Sequence, residues 1–464
     1  MALAYLHKLY TTFSAPTSGR RMPFWLTITT ILLAVVLLVW DYLLFDRATI
    51  QMDGLSYFQA WDRMKTLHTD VLRTPVYATF IGVLNELFGR NGALFIIPIL
   101  QWIAYVGALQ LLWQINFKLK IHKAANIAII FAMFLFPGFW VFNNFTMAES
   151  LSTSAIILLI WFTIRYTEDK RKTHLIQAWL LVIILTMTKP MFILLIPVLV
   201  VFCIIVCWKD KVHLKISAGL LTLSCSVLGA YTYCMKHTYT MPVLTLASVW
   251  NEYVGFRYEN LLRPEDIDDP ELRAIFEPYY QAYPCGLHAK EYWQEMLWGM
   301  NYTELYTLSK LPWEKHPQET RMAILKRFPV EANTSHFHSL YNNFNVDPYK
   351  APQYIGWNGM TKNDTDGYIM PLHAYLWYPI WVGWAITLAF SAVWITRWIR
   401  RRKFPSLAYF IAATMVTAYI TVTIGAQDDW GRILTPFNPL VPIMAGSLIS
   451  IFAHRIKLLY ERRK

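Results

Sequence analysis

Ten largely apolar stretches punctuate the chain, most of them near the ~20 residues a helix needs to cross the hydrocarbon core of a bilayer. They cover residues 24–45, 92–115, 124–142, 150–166, 175–188, 191–208, 216–235, 372–395, 405–424 and 437–453. Residues 46–91 follow a different pattern. After Asp53, the apolar residues Leu55, Phe58, Trp61, Met64 and Leu67 recur at every third position. This predicts an amphipathic helix suited to lying on the membrane surface, with Asp53 where its N-cap would sit. Thr74-Pro75, a cap and a first-turn proline, predicts a second short helix to about Phe88, with Val76, Phe80, Val83 and Leu87 on one side. A second polar stretch, 236–371, carries Trp, Tyr, Pro, Asn and acid–base pairs without another apolar run, and predicts a small domain outside the membrane. The expected fold class is an all-α polytopic membrane protein of about ten transmembrane helices, organised as 1–235, 236–371 and 372–464. No fixed-period repeat is visible.

Composition agrees with this pattern. The 464 residues are 56% hydrophobic and 16% charged, against about 25% charged in soluble domains. The net charge of +12 then assigns sidedness. Lys118, Lys120 and Lys123, then Arg165, Lys170, Arg171 and Lys172, then Lys209, Lys211 and Lys215 fall in alternate loops. Arg397, Arg400, Arg401, Arg402 and Lys403 join the same side, as do Arg455, Lys457, Arg462, Arg463 and Lys464. The opposite short connections hold only Lys189 and Arg432. By the positive-inside rule both termini are expected in the cytoplasm, with 46–91 and 236–371 outside. Bases spread over separate membrane-flanking segments argue against nucleic acid as a partner. The first run follows a basic head (Lys8, Arg20, Arg21), exceeds a signal-peptide core and lacks a small-residue cleavage site, so a retained anchor is expected.

Cys203, Cys207 and Cys225 lie within apolar runs and read as small core residues. Cys234 and Cys285 are both expected outside, but two cysteines are little ground for a disulfide. His336, His338 and His373 lack acidic or cysteine partners at ligand spacing, so no metal is assigned to them.

The outer side gathers candidate chemistry. The first loop holds Asp53, Asp70 and Arg73; Glu149 opens the fourth run in NNFTMAES; Lys189 sits in TMTKPMF; and Asp428, Asp429 and Arg432 occupy QDDWGRILTPFNP. Each has a structural explanation of its own. Asp53 could cap a helix, Glu149 could sit at a helix N-terminus, Lys189, flanked by nothing acidic in sequence, could snorkel, and Arg432 could pair with its neighbouring acids. Their placement on one side favours a site. A carboxylate held at the membrane can act as a general base, while Arg and Lys at the same depth can hold a phosphate.

On these residues the chain resembles the GT-C superfamily of polyprenyl-phosphate-dependent glycosyltransferases, of the protein O-mannosyltransferase and lipid A aminoarabinose transferase type. The resemblance rests on MDGLSYFQA, RTPVY, MAES and TKP, taken in that order and on one side, and covers the first seven spans. RILTPFNP is similar to the late Arg-plus-proline loops of some members. It implies a core of seven spans with a catalytic first outer loop. It also implies inverting transfer from a polyprenyl-phosphate sugar to a glycan, lipid or protein acceptor, in the cell envelope and in a bacterial inner membrane. Asp53 would be the base. Glu149 would orient the acceptor or help hold a metal, and Arg73, Lys189 and Arg432 would bind the donor phosphate. Two positions depart from the pattern. Many members carry adjacent acids in the first loop where this chain has Asp53-Gly54, leaving a divalent metal unassigned, and many carry Arg where TKP has Lys189. Residues 236–371 match no family pattern. Two other readings stand beside this one: an O-antigen polymerase or ligase, and a lipid or sugar transporter.

Overall fold

The computed structural model describes residues 21–45, 52–283, 285, 300–331, 380–425 and 433–463. They form an all-α polytopic membrane protein. Helix α1 (Phe24–Phe45) is the first apolar run, and α2 (Met52–Lys65) is the predicted amphipathic helix. Helix α3 (Pro75–Lys118) joins the second predicted short helix to the second span in one kinked element. The join is Gly89, at φ 68° and ψ 170°, a backbone conformation that a residue with a Cβ rarely adopts.

Helices α4 (Lys123–Leu135), α5 (Ala148–Asp169), α6 (Lys172–Thr186), α7 (Leu195–Cys207) and α8 (Lys211–Tyr239) follow. The polar insertion supplies α9 (Leu246–Tyr258), α10 (Pro270–Ala282), α11 (Tyr302–Lys315) and α12 (Pro317–Glu331). Asp269 caps α10, and a capping box between Asn301 and Glu304 opens α11. Helices α13 (Ile380–Arg401), α14 (Ser406–Gly425) and α15 (Leu440–Arg463) end the described chain. Among the described residues, seven helices are long and apolar enough to cross a membrane, and shorter apolar helices lie at Phe24–Trp40, Lys123–Leu135 and Lys172–Thr186. These ten correspond to the ten predicted runs. The third run stops early: α4 ends at Leu135, before Pro137, and the chain continues in the 3₁₀ turns Pro137–Phe139 and Val141–Asn144.

Side chains from the spans share one packed cluster in which Trp113 and Trp179 are fully buried. The last three helices belong to it, with α14 against α7 and α15 against α4 and α13. Apolar surface alone does not drive helices together in lipid, so close packing and internal polar pairs supply the contacts. Asn116 Nδ2 donates to Asn126 Oδ1 at 2.8 Å, and Tyr105 OH donates to the Met133 carbonyl at 2.8 Å. A second cluster, in the polar insertion, includes Leu246, Tyr253, Phe256, Phe276 and Leu305, and draws in Val71 from the first loop.

Two expectations, on Leu67 and Cys225, are corrected. The residues of α2 that pack most closely on α3 are Tyr57, Phe58 and Ala60, buried against Tyr77, Ala78 and Ile81, while Leu55, Trp61 and Met64 of the predicted stripe are half-buried. Leu67 falls beyond the helix at φ 61° and is exposed. Cys225 lies on the outer surface of α8 rather than in a core, while Cys203 and Cys207 are buried as expected; Cys234 and Cys285 are exposed free thiols.

Candidate active site

The turn between α2 and α3 is built around Asp70. Its buried carboxylate accepts the N–H groups of Leu72 (2.8 Å) and Arg73 (2.7 Å) through Oδ1 and an Arg63 N–H through Oδ2 (2.9 Å). An aspartate bonded to the backbone just ahead of it holds a turn by itself. The outward carbonyls of this turn are also occupied. Tyr239 OH donates to Thr69 O (2.6 Å), Leu246 N–H to Val71 O (2.7 Å) and Thr245 Oγ1 to Leu72 O (2.7 Å). Tyr231 OH lies 3.4 Å from the carbonyls of both Asp70 and Arg73. The root of the polar insertion therefore grips every carbonyl from 69 to 73. On the other side Thr74 Oγ1 donates to Thr188 O (2.9 Å), and Val76 N–H to Met187 O (3.1 Å). RTPVY is thereby docked on the TKP turn.

Arg73 is half-buried; its Nε donates to Ser56 Oγ at 2.6 Å, and its guanidinium carbon is 4.8 Å from the centre of the Tyr57 ring. Ser56 and Tyr57 follow Asp53 by three and four residues, so all three positions share one helix face. Arg73 thus lies along the face of α2 that carries position 53. Asp53 itself stands in the first turn of α2, inside the helix rather than at the predicted cap position. The next residue, Gly54, is pressed against the loop ahead of α5. A methyl group there would collide with Thr146 Oγ1 and sit 3.1 Å from the Thr146 carbonyl oxygen. A side chain at position 54 would therefore require Thr146 to shift.

Thr146 leads directly into α5, where Glu149 is buried in the first turn. The loop before it is pinned by Gln101, whose Nε2 donates to the carbonyls of Asn143 and Phe145 (2.9 Å each) while Oε1 accepts from Tyr77 OH (3.0 Å). Glu149 Oε1 accepts from Lys189 Nζ at 2.7 Å. The snorkelling expected of Lys189 is thus corrected: its carboxylate partner comes from 40 residues earlier in the chain. An ammonium has three N–H donors, so its contact with Glu149 leaves capacity for a phosphate oxygen.

Asp428, Asp429 and Arg432 lie outside the described residues. On either side of them, Thr421 Oγ1 donates to Met191 O (3.4 Å), and the Phe437 ring packs on Phe192 with centroids 5.5 Å apart. Both contacts fall just after Lys189. His336, His338 and His373 also lie outside the described residues. Among the described residues, no group of three or more His, Cys, Asp or Glu side chains is placed to hold a metal ion.

Sequence reasoning passed over Tyr231, Tyr239, Thr245, Gln101 and Glu252. An amide within an apolar run was a legible signal for Gln101, although the same run also holds Gln110 and Gln114; the hydroxyls of the insertion root carried none. In α9, burial pushes the Glu252 carboxyl up to about 7.

No protein-family model matches the chain, and no curated protein matches it by sequence. Solved structures do resemble it. One is the archaeal oligosaccharyltransferase AglB from Archaeoglobus fulgidus, in complex with an inhibitory peptide and a dolichol-phosphate. It is 10% identical, with a TM-score of 0.42, over 95% of this chain and 52% of that one. Another is ArnT from Cupriavidus metallidurans bound to undecaprenyl phosphate, 15% identical with a TM-score of 0.37, over 90% of this chain and 77% of that one. ArnT in the apo state gives 15% identity and a TM-score of 0.35 over 89% and 77%. The chain spans about half the length of AglB.

Proposed function

We propose that the chain is an integral-membrane glycosyltransferase, moving a sugar from a polyprenyl-phosphate donor to an acceptor at the membrane face where 46–91 and 236–371 lie. One observation carries this reading: four segments far apart in sequence meet through direct contacts. Arg73 of RTPVY bonds to Ser56 of MDGLSY, Thr74 to Thr188 of TKP, Lys189 to Glu149 of MAES, and Gly54 abuts Thr146. These contacts support a grouping of position 53, Arg73 and Lys189 on adjoining elements.

In the reaction this supports, Asp53 takes the proton of an acceptor hydroxyl as its oxygen attacks the anomeric carbon. Attack comes from the side opposite the phosphate, so the configuration inverts. The bond from the anomeric carbon to the phosphate oxygen breaks, and polyprenyl phosphate leaves with the electron pair. Arg73, Lys189 and Arg432 meet the charge that develops on the phosphate. Glu149 acts through Lys189, holding the ammonium in place. The chain is read as a transmembrane core at 1–235, an extracytoplasmic domain at 236–371 and C-terminal helices at 372–464, with both termini cytoplasmic in a bacterial inner membrane.

A polymerase or ligase of O-antigen type would not need an acid in the first loop, and a transporter would need ionisable groups near the membrane midplane. Asp53→Asn separates these readings. Asn matches Asp in size, but it cannot accept the proton, and positioned bases contribute about 10²–10⁴-fold. Cells lacking the protein should accumulate a polyprenyl-phosphate-linked sugar. Wild-type protein should clear it, and Asp53→Asn, expressed to the same level, should clear it at least about a hundredfold more slowly. Full clearance by Asp53→Asn would end the catalytic assignment, and the absence of any accumulating sugar would end the reading as a whole.

A further inference from the structure

At the opposite end of the bundle, several of the described bases near the ends of α3, α5, α6 and α8 have acidic partners. Lys118 pairs with Glu168, Arg165 with Glu168 (3.2 Å) and Asp169 (3.6 Å), Arg171 with Asp169 (3.6 Å) and His213 with Asp210 (2.6 Å). The ends of α13 and α15 differ. These helices pack together, and Arg397 on α13 lies within electrostatic reach of Arg401 and of Arg455 on α15. Arg400 and Arg402 continue the group, and no described carboxylate pairs with any of the five. Arg397 is half-buried, its guanidinium 5.0 Å from the Trp394 ring centre. Beside the arginines, Trp398, Ile399, Ile456 and Leu459 are exposed.

Like charges crowded around a partly desolvated arginine are unfavourable unless an anion completes them. Topology alone requires bases at this end, but it does not require arginines of two helices to gather around a half-buried one. The helix dipole favours cations at the end of α13, but it acts only within the last turn and does not account for Arg455, which comes from another helix. The surrounding groups point to the occupant. Guanidinium forks match phosphate oxygens, and the exposed Trp, Ile and Leu side chains suit acyl chains rather than water. We propose that the ends of α13 and α15 form a binding surface for the phosphate headgroup of an anionic phospholipid, held by Arg397, Arg401 and Arg455. This proposal does not depend on the glycosyltransferase reading.

The test uses the purified full-length protein in vesicles of a zwitterionic phospholipid, with or without an added anionic phospholipid. Wild-type protein should melt several degrees higher in the anionic vesicles and carry anionic lipid through repurification in native mass spectra. R397Q/R401Q/R455Q should lose both effects, while K209Q/K211Q/K215Q, which removes the same charge from a neighbouring loop, should keep both. If the glutamine variant does not fold, R397K/R401K/R455K keeps the charge and should hold the lipid more weakly than wild type. Retention of lipid and melting shift by the folded glutamine variant, or undiminished lipid retention by the lysine version tested in its place, would overturn the proposal. So would equal losses in the lysine-loop control, or full reproduction of the shift by inorganic phosphate in zwitterionic vesicles.

Discussion

Glu149 and Lys189 are separated by two helices in sequence and by 2.7 Å in space. The carboxylate is buried and the ammonium nearly so, which makes the pair sensitive to losing one member. Lys189→Ala removes the ammonium and leaves the carboxylate inside, a change that typically costs about 3–5 kcal/mol. The double variant Lys189→Met with Glu149→Gln removes both charges and should recover most of that stability, because matched uncharged groups no longer carry the desolvation cost. Thermal melting in detergent separates these outcomes. A Lys189→Ala protein as stable as wild type would mean that the pair contributes no net stability. Glu252 supplies a second expectation at this scale. Its folded carboxyl, raised to about 7 by burial, binds protons more tightly than in the unfolded chain. Between roughly pH 4.5 and 7 the folded state therefore holds more protons, and stability falls as pH rises through that window. Partial solvent access reduces the effect to about 1–2 kcal/mol. Melting of wild type against Glu252→Gln from pH 5 to 8 should show this slope in the wild type only.

Among the elements, α2 and its turn were the most legible and also the most altered by context. Periodicity placed the helix correctly, yet Tyr57 and Ala60, outside the predicted stripe, are among its most buried residues against α3, since a stripe in sequence does not say which neighbour will meet it. Gly54 fixes how closely the first turn of α2 approaches the loop ahead of α5. Gly54→Ala forces the two apart, at a cost of about 1–3 kcal/mol for overpacking, and shifts the backbone at position 53. The variant should reach the membrane but lose sugar transfer out of proportion to its loss of stability. Gly219→Ala in α8, where an added methyl meets nothing within 4 Å, is the matched control and should be neutral in both measurements. Equal activity in the two variants would show that the approach of α2 to the Thr146 loop is irrelevant to the reaction.

For the molecule as a whole, the alternation of basic and base-poor loops carries an orientation that can be read with native thiols. Cys285 is exposed in the polar insertion, and Lys172 begins α6 at the opposite end. In a chain retaining Cys285 as its one cysteine, a membrane-impermeant maleimide added to intact cells should label it. In a cysteine-free chain carrying Lys172→Cys, it should label only after the cells are opened. The reverse pattern would put the proposed site in the wrong compartment. At this scale, too, α14 and α15 pack into the same cluster as the earlier spans.

The sequence by itself determined what depends on local composition and period: the number of apolar runs, the amphipathic helix after Asp53, the proline start of α3 and the charge asymmetry between loops. These follow from transfer energies and backbone sterics, which act residue by residue. It also predicts that Asp53, Arg73, Glu149 and Lys189 share one side of the membrane. Only the tertiary structure decided that Lys189 meets Glu149, that Arg73 lies on the face of α2 carrying position 53, and that Tyr231, Tyr239 and Thr245 hold the turn bearing Arg73. Such contacts depend on which helices pack side by side, and that is set by shape and pairing across tens to more than a hundred residues, distances at which neighbouring letters in a sequence carry no record of one another.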